Sequence, residues 1–268
     1  MIEQTKLWYK DVATQYELIK QLYNREFCLL VPKHCSEEMQ KRNTRTWRAH
    51  NTQSFMAILN NINYFDNEQQ YNFYTSIAQY KGGVPMQTFN LSRRKELNAE
   101  WNRTQHDYIE HYPFFIDVDS PTHEEIMLAH ESVLQITKDL DADKFQYEVR
   151  FSGCGFHIII HDFMRAEKTY SFNPEDDHNI YEYYRTMAES FQDKYTEMID
   201  TTIYDSRRVI KMPYTLALYE HDTYVCWSFN SRTELENFQL ENYTLRHFIS
   251  NDKQRQIYKR GLQIFNKP

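Results

Sequence analysis

From Tyr112 onward, short apolar runs alternate with amphipathic stretches. Phe114-Phe115-Ile116-Asp117-Val118-Asp119 is an apolar run ending in carboxylates, the pattern of a buried strand that reaches a sheet edge. Ser120 then offers an N-cap, Pro121 suits a first helical position, and Glu124 and Glu125 favour the positive start of a helix. Ile126, Ala129, Val133, Ile136 and Leu140 follow at steps of three and four, one stripe of an amphipathic helix. Residues 145–152 and 156–161 read as two strands around a tight turn at Gly153-Cys154-Gly155. Asn173-Pro174 announces a second helix, with Ile180, Tyr184, Met187, Phe191, Tyr195 and Met198 on one face. Strands are predicted over 208–218 and 223–229, and Ser231 with Glu234 has the spacing of a capping box that opens a last helical region. Upstream, residues 1–27 read as helical, with Trp8, Val12, Ile19 and Leu22 at helical spacing, and 81–90 as a loop.

Strand–helix–strand–strand–helix–strand is the order of an RRM-like or ferredoxin-like unit. The expectation is a mixed α/β (α+β) chain forming one domain over 1–268. Its parts are an N-terminal α/β lobe over 1–110, an RRM-like unit over 111–230 and a helical region over 231–268.

Composition narrows the class. At 268 residues, 41% hydrophobic and 26% charged, the chain has the make-up of an ordinary folded protein. Only 5 Gly and 7 Pro leave no room for a flexible linker. No apolar run is long enough to cross a bilayer and no signal-peptide pattern opens the chain, so an intracellular place, cytoplasmic or nucleoid-associated, is expected, with no membrane partner. Cys28, Cys35, Cys154 and Cys226 form no CxxC pair, which argues against a disulfide framework and leads us to expect no structural zinc. The net charge of −7 runs against a stand-alone nucleic-acid binder. Carboxylates offset by bound cations relax that objection, as do basic clusters at Arg93-Arg94-Lys95, Arg207-Arg208 and 253–260.

Three segments carry candidate chemistry. Asp117 and Asp119 sit at i and i+2 of a strand, so both carboxylates share a face and can grip hard cations such as Mg²⁺ or Mn²⁺. Taken alone, the pair also fits a solvated strand end, and nucleotide-sugar transferases use the same DxD. In Ser152-Gly153-Cys154-Gly155-Phe156-His157, the glycines free the backbone to present N–H groups to an anion, while Ser152 and His157 add side-chain donors. The same segment fits a plain hairpin turn with a structural His. The third runs from Ile199-Asp200 to Arg207-Arg208-Val209-Ile210-Lys211-Met212-Pro213. Arg208 and Lys211 are three apart, which puts them on opposite faces of a regular strand unless a bulge or twist intervenes.

In this order and at these spacings, the three segments resemble the motifs of the archaeo-eukaryotic primase superfamily. The closest likeness is to the small catalytic primase subunit and to plasmid or viral primase-polymerases. Arg25-Glu26-Phe27 and Tyr74-Thr75-Ser76-Ile77-Ala78-Gln79-Tyr80 are similar to upstream segments of that family, so the resemblance covers roughly residues 20 to 220. Three departures stand out. The glycine turn is shorter than in many members, Thr215-Leu216-Ala217 stands where a His is common, and the zinc knuckle of cellular subunits is missing.

The resemblance implies a primase fold with the active site in a cleft between the two lobes, and DNA-templated nucleotidyl transfer that makes or extends primers. It makes Asp117, Asp119 and Asp200 the catalytic ligands of two Mg²⁺ or Mn²⁺ ions. Ser152, Gly153, Gly155, His157, Arg208 and Lys211 become the cradle for an NTP or dNTP. Single-stranded DNA is the implied template, with a large primase subunit or a helicase as partner. A repair-type polymerase of the same superfamily, a DxD nucleotide-sugar transferase and a non-catalytic RRM-like binding module are the alternatives.

Overall fold

The run that ends in Asp117 and Asp119 becomes a strand whose first five residues are buried and whose last is exposed, as its composition requires. The computed structural model describes residues 8–9, 24–30, 44–47, 72–82, 84, 91–161, 163, 177–219 and 222–250. Of the N-terminal helix expected over 1–27, only Trp8 and Tyr9 are described as helical, and Phe27 already opens a strand; Val12, Ile19, Leu22, Cys35, Asn173-Pro174 and the basic cluster 253–260 lie outside the described residues.

In chain order the strands are β1 (Phe27–Leu30), β2 (Thr44–Trp47), β3 (Asn72–Ser76), β4 (Gln79–Tyr80), β5 (Ile109–His111), β6 (Phe114–Asp119), β7 (Tyr147–Phe151) and β8 (Gly155–Ile160). After the helix Asp177–Tyr195 come β9 (Val209–Lys211), β10 (Leu216–Tyr219), β11 (Asp222–Val225) and β12 (Trp227–Ser228). They form two four-stranded sheets, β2-β1-β3-β9 and β12-β7-β8-β6, and two two-stranded ones, β10-β11 and β4-β5. Each pairing is antiparallel.

The sheet that carries the candidate chemistry has two unlike faces. Ile116 and Val118 of β6, Val149 and Phe151 of β7, and Phe156, Ile158 and Ile160 of β8 are all buried. Helix Ile126–Ala142 buries Ile126, Ala129, Val133, Ile136 and Leu140 and packs against this sheet, so the stripe read from the sequence is the packed face. Each of the Ile, Val and Leu side chains contributes about 1.5–3 kcal/mol on leaving water. In the opposite register, β6 presents Phe115, Asp117 and Asp119, paired with Ile159, His157 and Gly155 of β8, while β7 presents Glu148 and Arg150.

Three expectations are corrected. Ser120 does not cap the following helix: its N–H donates to Cys154 O (3.0 Å) and its hydroxyl to Thr122 O (2.5 Å). The chain is still tied to the glycine turn there, so a 3₁₀ turn, His123–Glu125, precedes a helix that starts only at Ile126. The strand expected over 208–218 is broken, because Pro213 has no N–H to donate and Tyr214 takes a positive φ of 65°. Its first half, β9, joins β3 of the other sheet, and its second half, β10, pairs with β11.

Among the described residues, the fourth strand of an RRM-like unit is accordingly missing beside β6. In its place the segment 198–204 seals that edge. Asp119 N donates to Met198 O (3.0 Å), Asp200 N to Asp117 O (2.9 Å) and the Tyr204 hydroxyl to Phe115 O (2.6 Å), around a single bridge between Val118 and Ile199. By contrast, the Ser231 cap forms as predicted: its hydroxyl accepts from Glu234 N at 3.1 Å and the helix Arg232–Glu236 follows. Among the described residues, no helix is long and apolar enough to cross a membrane.

Candidate active site

The edge-sealing segment brings Asp200 to Asp117 across a long stretch of chain. Asp200 Oδ1 accepts from the N–H (2.8 Å) and hydroxyl (2.7 Å) of Thr202, a local turn that fixes the carboxylate. Its other oxygen lies 4.0 Å from Arg208 Nη2, and that same nitrogen is 3.7 Å from Asp117 Oδ2. Arg208 precedes β9, in a turn where its N–H donates to Asp205 O (3.3 Å). The facing problem posed by the three-residue spacing to Lys211 is thereby removed, since only Lys211 follows the strand's alternation. The side chain of Asp205 accepts from Arg207 N (2.7 Å), so its part is to shape this turn.

Asp117 is 7% exposed, and among the described residues its Oδ1 has no hydrogen-bond partner. Burial first, and then the neighbouring Asp119, push its carboxyl up to about 8; Arg208 and Lys211 pull the other way and Asp200 adds to the rise. Asp119 is exposed at the end of β6, one alternation further along the same face. His157, opposite Asp117 on β8, has Nε2 3.5 Å from Asp117 Oδ1. Burial, and then the positive charges of Lys211, Arg150 and Arg208, hold His157 well below its ordinary value, so its imidazole is neutral.

The glycine turn is shaped by two close approaches. Gly153 has φ +97°, and a Cβ there would run into the Ala217 side chain; a Cβ on Gly155 would run into the carbonyl oxygen of Val118. Ser152 N donates to Gly155 O at 2.8 Å, closing the turn. Ser152 is 1% exposed with its hydroxyl 3.9 Å from Cys154 Sγ, so the side chain expected to meet a phosphate faces inward. Its carbonyl instead accepts from Lys211 Nζ (2.9 Å) and from the Cys226 thiol (3.1 Å). Lys211 thus braces the turn from the other sheet. Burial alone would lower its pKa, but Cys154, Tyr74, Cys226 and Asp117 together raise it, and it remains an ammonium.

Glu148 and Arg150 went unnoticed in the sequence. Arg150 stands beside His157 on β7 and grips Glu148 through two N–H donors at 2.5 and 2.7 Å; Ser228 of β12 donates to the same carboxylate at 2.5 Å. The signal was available: in Tyr-Glu-Val-Arg-Phe the charged residues alternate with apolar ones, which places them on the face of His157.

Asp117, Asp200, His157 and Arg208 are therefore brought together, with Asp119 at the open end and Lys211 at the turn. Among the described residues, no group of three His, Cys, Asp or Glu side chains stands as a ready-made metal cage. The donor chemistry nonetheless suits a hard cation: a buried carboxylate, an acidic neighbour on each side of it and one oxygen unpartnered among the described residues.

No family model matches the chain, and no curated protein matches it in sequence. Among solved structures, the fold is similar to the polymerase domain of ligase D from Mycobacterium tuberculosis, determined in complex with DNA. The TM-score is 0.52 at 9% identity, over 97% of this chain and 92% of that one. The chain shares the fold of that polymerase domain along nearly its whole length.

Proposed function

We propose that the chain is a DNA-templated nucleotidyltransferase, the catalytic core of a primase or primase-polymerase, which joins NTPs or dNTPs on a single-stranded DNA template. The observation that carries this reading is that Asp117 and Asp200 approach a single guanidinium, Arg208, at 3.7 and 4.0 Å, inside a polymerase-domain fold. Asp117, Asp119 and Asp200 would hold Mg²⁺ or Mn²⁺. Two such ions, when bound, supply Lewis-acid activation of the primer hydroxyl and neutralise charge on the departing pyrophosphate.

The chain's own groups do the rest. Arg208 presents N–H donors in a planar fork suited to phosphate oxygens. His157, neutral and 6% exposed, can donate one hydrogen bond to a phosphate oxygen without a charge to desolvate. Lys211 and the Gly153–Gly155 turn set the wall against which a triphosphate lies, its reacting phosphorus toward the carboxylates. Asp117 presents a full carboxylate once a cation offsets its buried charge.

The test is primer extension on a single-stranded template with labelled NTPs or dNTPs and Mn²⁺. Wild type should lengthen the primer and Asp200→Ala should not. No template-dependent product with either nucleotide set overturns the reading. The likeness to a ligase polymerase domain favours one second reading, a repair-type polymerase. A chain that fills gaps efficiently yet never starts on unprimed template, even with a large primase subunit or helicase supplied, would decide for repair.

A further inference from the structure

The Arg25-Glu26-Phe27 segment has no part in the chemistry above, yet it lies directly behind the turn that carries Arg208. Glu26 is 0% exposed. Its Oε1 accepts the indole N–H of Trp101 at 2.7 Å and lies 3.6 Å from the guanidinium of Arg207. The surrounding backbone is tied on both sides. Glu26 N donates to Ser76 Oγ (2.9 Å), Ser76 N to Glu26 O (3.0 Å), and Ile77 N to Arg208 O (3.0 Å). Arg25 adds donors to the carbonyls of Ser76 (2.8 Å) and Ile77 (2.5 Å). Two consecutive arginines therefore point opposite ways: Arg207 back toward Glu26, Arg208 forward toward Asp117 and Asp200.

A carboxylate removed from water is costly unless a cation and hydrogen-bond donors meet it, so the buried Glu26, already accepting from Trp101, attracts the Arg207 guanidinium 3.6 Å away. Were Arg207 released, its guanidinium could swing toward the same acidic site and compete there with that of Arg208. We propose that Glu26 is a positioning residue: by anchoring Arg207 it directs Arg208 into the site, where Arg208 grips the phosphates of an incoming nucleoside triphosphate. This rests on the reading of Arg208 as a phosphate ligand given above.

A double-mutant cycle on triphosphate affinity separates positioning from mere structural support. The probes are the non-hydrolysable analogues α,β-methylene-ATP and α,β-methylene-dATP, titrated calorimetrically with Mn²⁺ into the full chain. Arg208→Ala should weaken binding by about tenfold or more, the usual loss for a charge-assisted hydrogen bond. Glu26→Gln should weaken it about fivefold in the otherwise wild-type chain and not at all in the Arg208→Ala background, because the two act through one contact. Arg207→Gln approaches the same pair from its more exposed end and should repeat this pattern if Glu26→Gln folds poorly.

Equal losses from Glu26→Gln or Arg207→Gln in both backgrounds overturn the proposal, as does no loss in the wild-type background. If wild type shows no saturable binding, or Arg208→Ala binds as well as wild type, the nucleotide site itself fails and this proposal falls with it. That outcome is recognised without any variant of Glu26.

Discussion

Two carboxylates on one face of the same sheet are treated in opposite ways. Asp117 on β6 pairs with His157 of β8, and Glu148 on β7 pairs with Ile159, one alternation further along the same face. Burial works to raise Glu148, but the Arg150 fork and the Ser228 hydroxyl outweigh it and hold the group below its ordinary value. Burial raises Asp117 too, and there Asp119 adds to the effect; Arg208, at 3.7 Å and outside hydrogen-bond range, only moderates it. The fold supplies a complete counter-charge at one end of the face and leaves the other end short of one. An acidic site that the protein itself under-neutralises is where an outside cation adds most, and perturbations of this kind gather at functional sites.

The sharpest way to break this contrast is by activity. Under the proposed function, in which Asp117 holds a cation worth several kcal/mol to the transition state, Asp117→Asn should lower nucleotide transfer by about 10³-fold or more. Glu148→Gln should leave transfer measurable in primer extension. Equal losses would mean the two carboxylates do one job.

Stability should show the reverse ranking. Glu148→Gln takes away the carboxylate that Arg150 grips, and side-chain exposures of 14% and 20% put the pair largely out of water. A loss of about 3 kcal/mol in chemical denaturation is expected. Asp117→Asn in chelator should cost nothing or stabilise, because it removes a buried carboxyl that must take up a proton to stay in the fold.

The pH dependence sharpens the contrast further. Asp117 is raised from 3.8 to about 8, so between those values the folded chain keeps a proton that the unfolded chain releases. Its contribution to stability is complete below about pH 4 and lost as pH rises through 8. Metal-free wild type should therefore fall steadily against Asp117→Asn over that window in thermal melts. Glu148, held below 4.5, acts with the opposite sign: its contribution is present above that value and lost as pH falls through its folded pKa. Glu148→Gln should flatten the acid limb alone.

The smallest expected effect is that of Ser228→Ala. It deletes one donor to a carboxylate that keeps its arginine fork and should cost about 1 kcal/mol in the same denaturation. A loss as large as that of Glu148→Gln would show that the hydroxyl, and not Arg150, sets the state of Glu148.

The chain's alternation placed much of this in view. Period two in Phe114–Asp119 and Gly155–Ile160 puts Asp117, Asp119 and His157 on the face opposite Val118, Phe156 and Ile158. The three-and-four spacing of Ile126 through Leu140 marks the helix that covers the apolar face. That helix starts later than the local signals of Ser120 and Pro121 imply, because the Ser120 hydroxyl turns to Thr122 O and its N–H is engaged by Cys154, a partner brought in by strand pairing. The Glu148–Arg150 pair was visible as an alternation but carried no motif to single it out.

What the sequence determined by itself is what depends on neighbours in the chain: which residues share a strand face, which stripe a helix buries, where glycine must turn and where Ser231 caps. Only the tertiary structure decided that 198–204 seals the edge of β6, that β9 leaves the candidate unit to pair with β3, and that Arg208 reaches Asp117 and Asp200 while Lys211 braces the glycine turn. The same division separates the two carboxylates. Glu148 finds its counter-charge two residues away on its own strand, whereas the charge of Asp117 is set by groups from Asp119 to Lys211, whose positions follow from packing and from no local pattern.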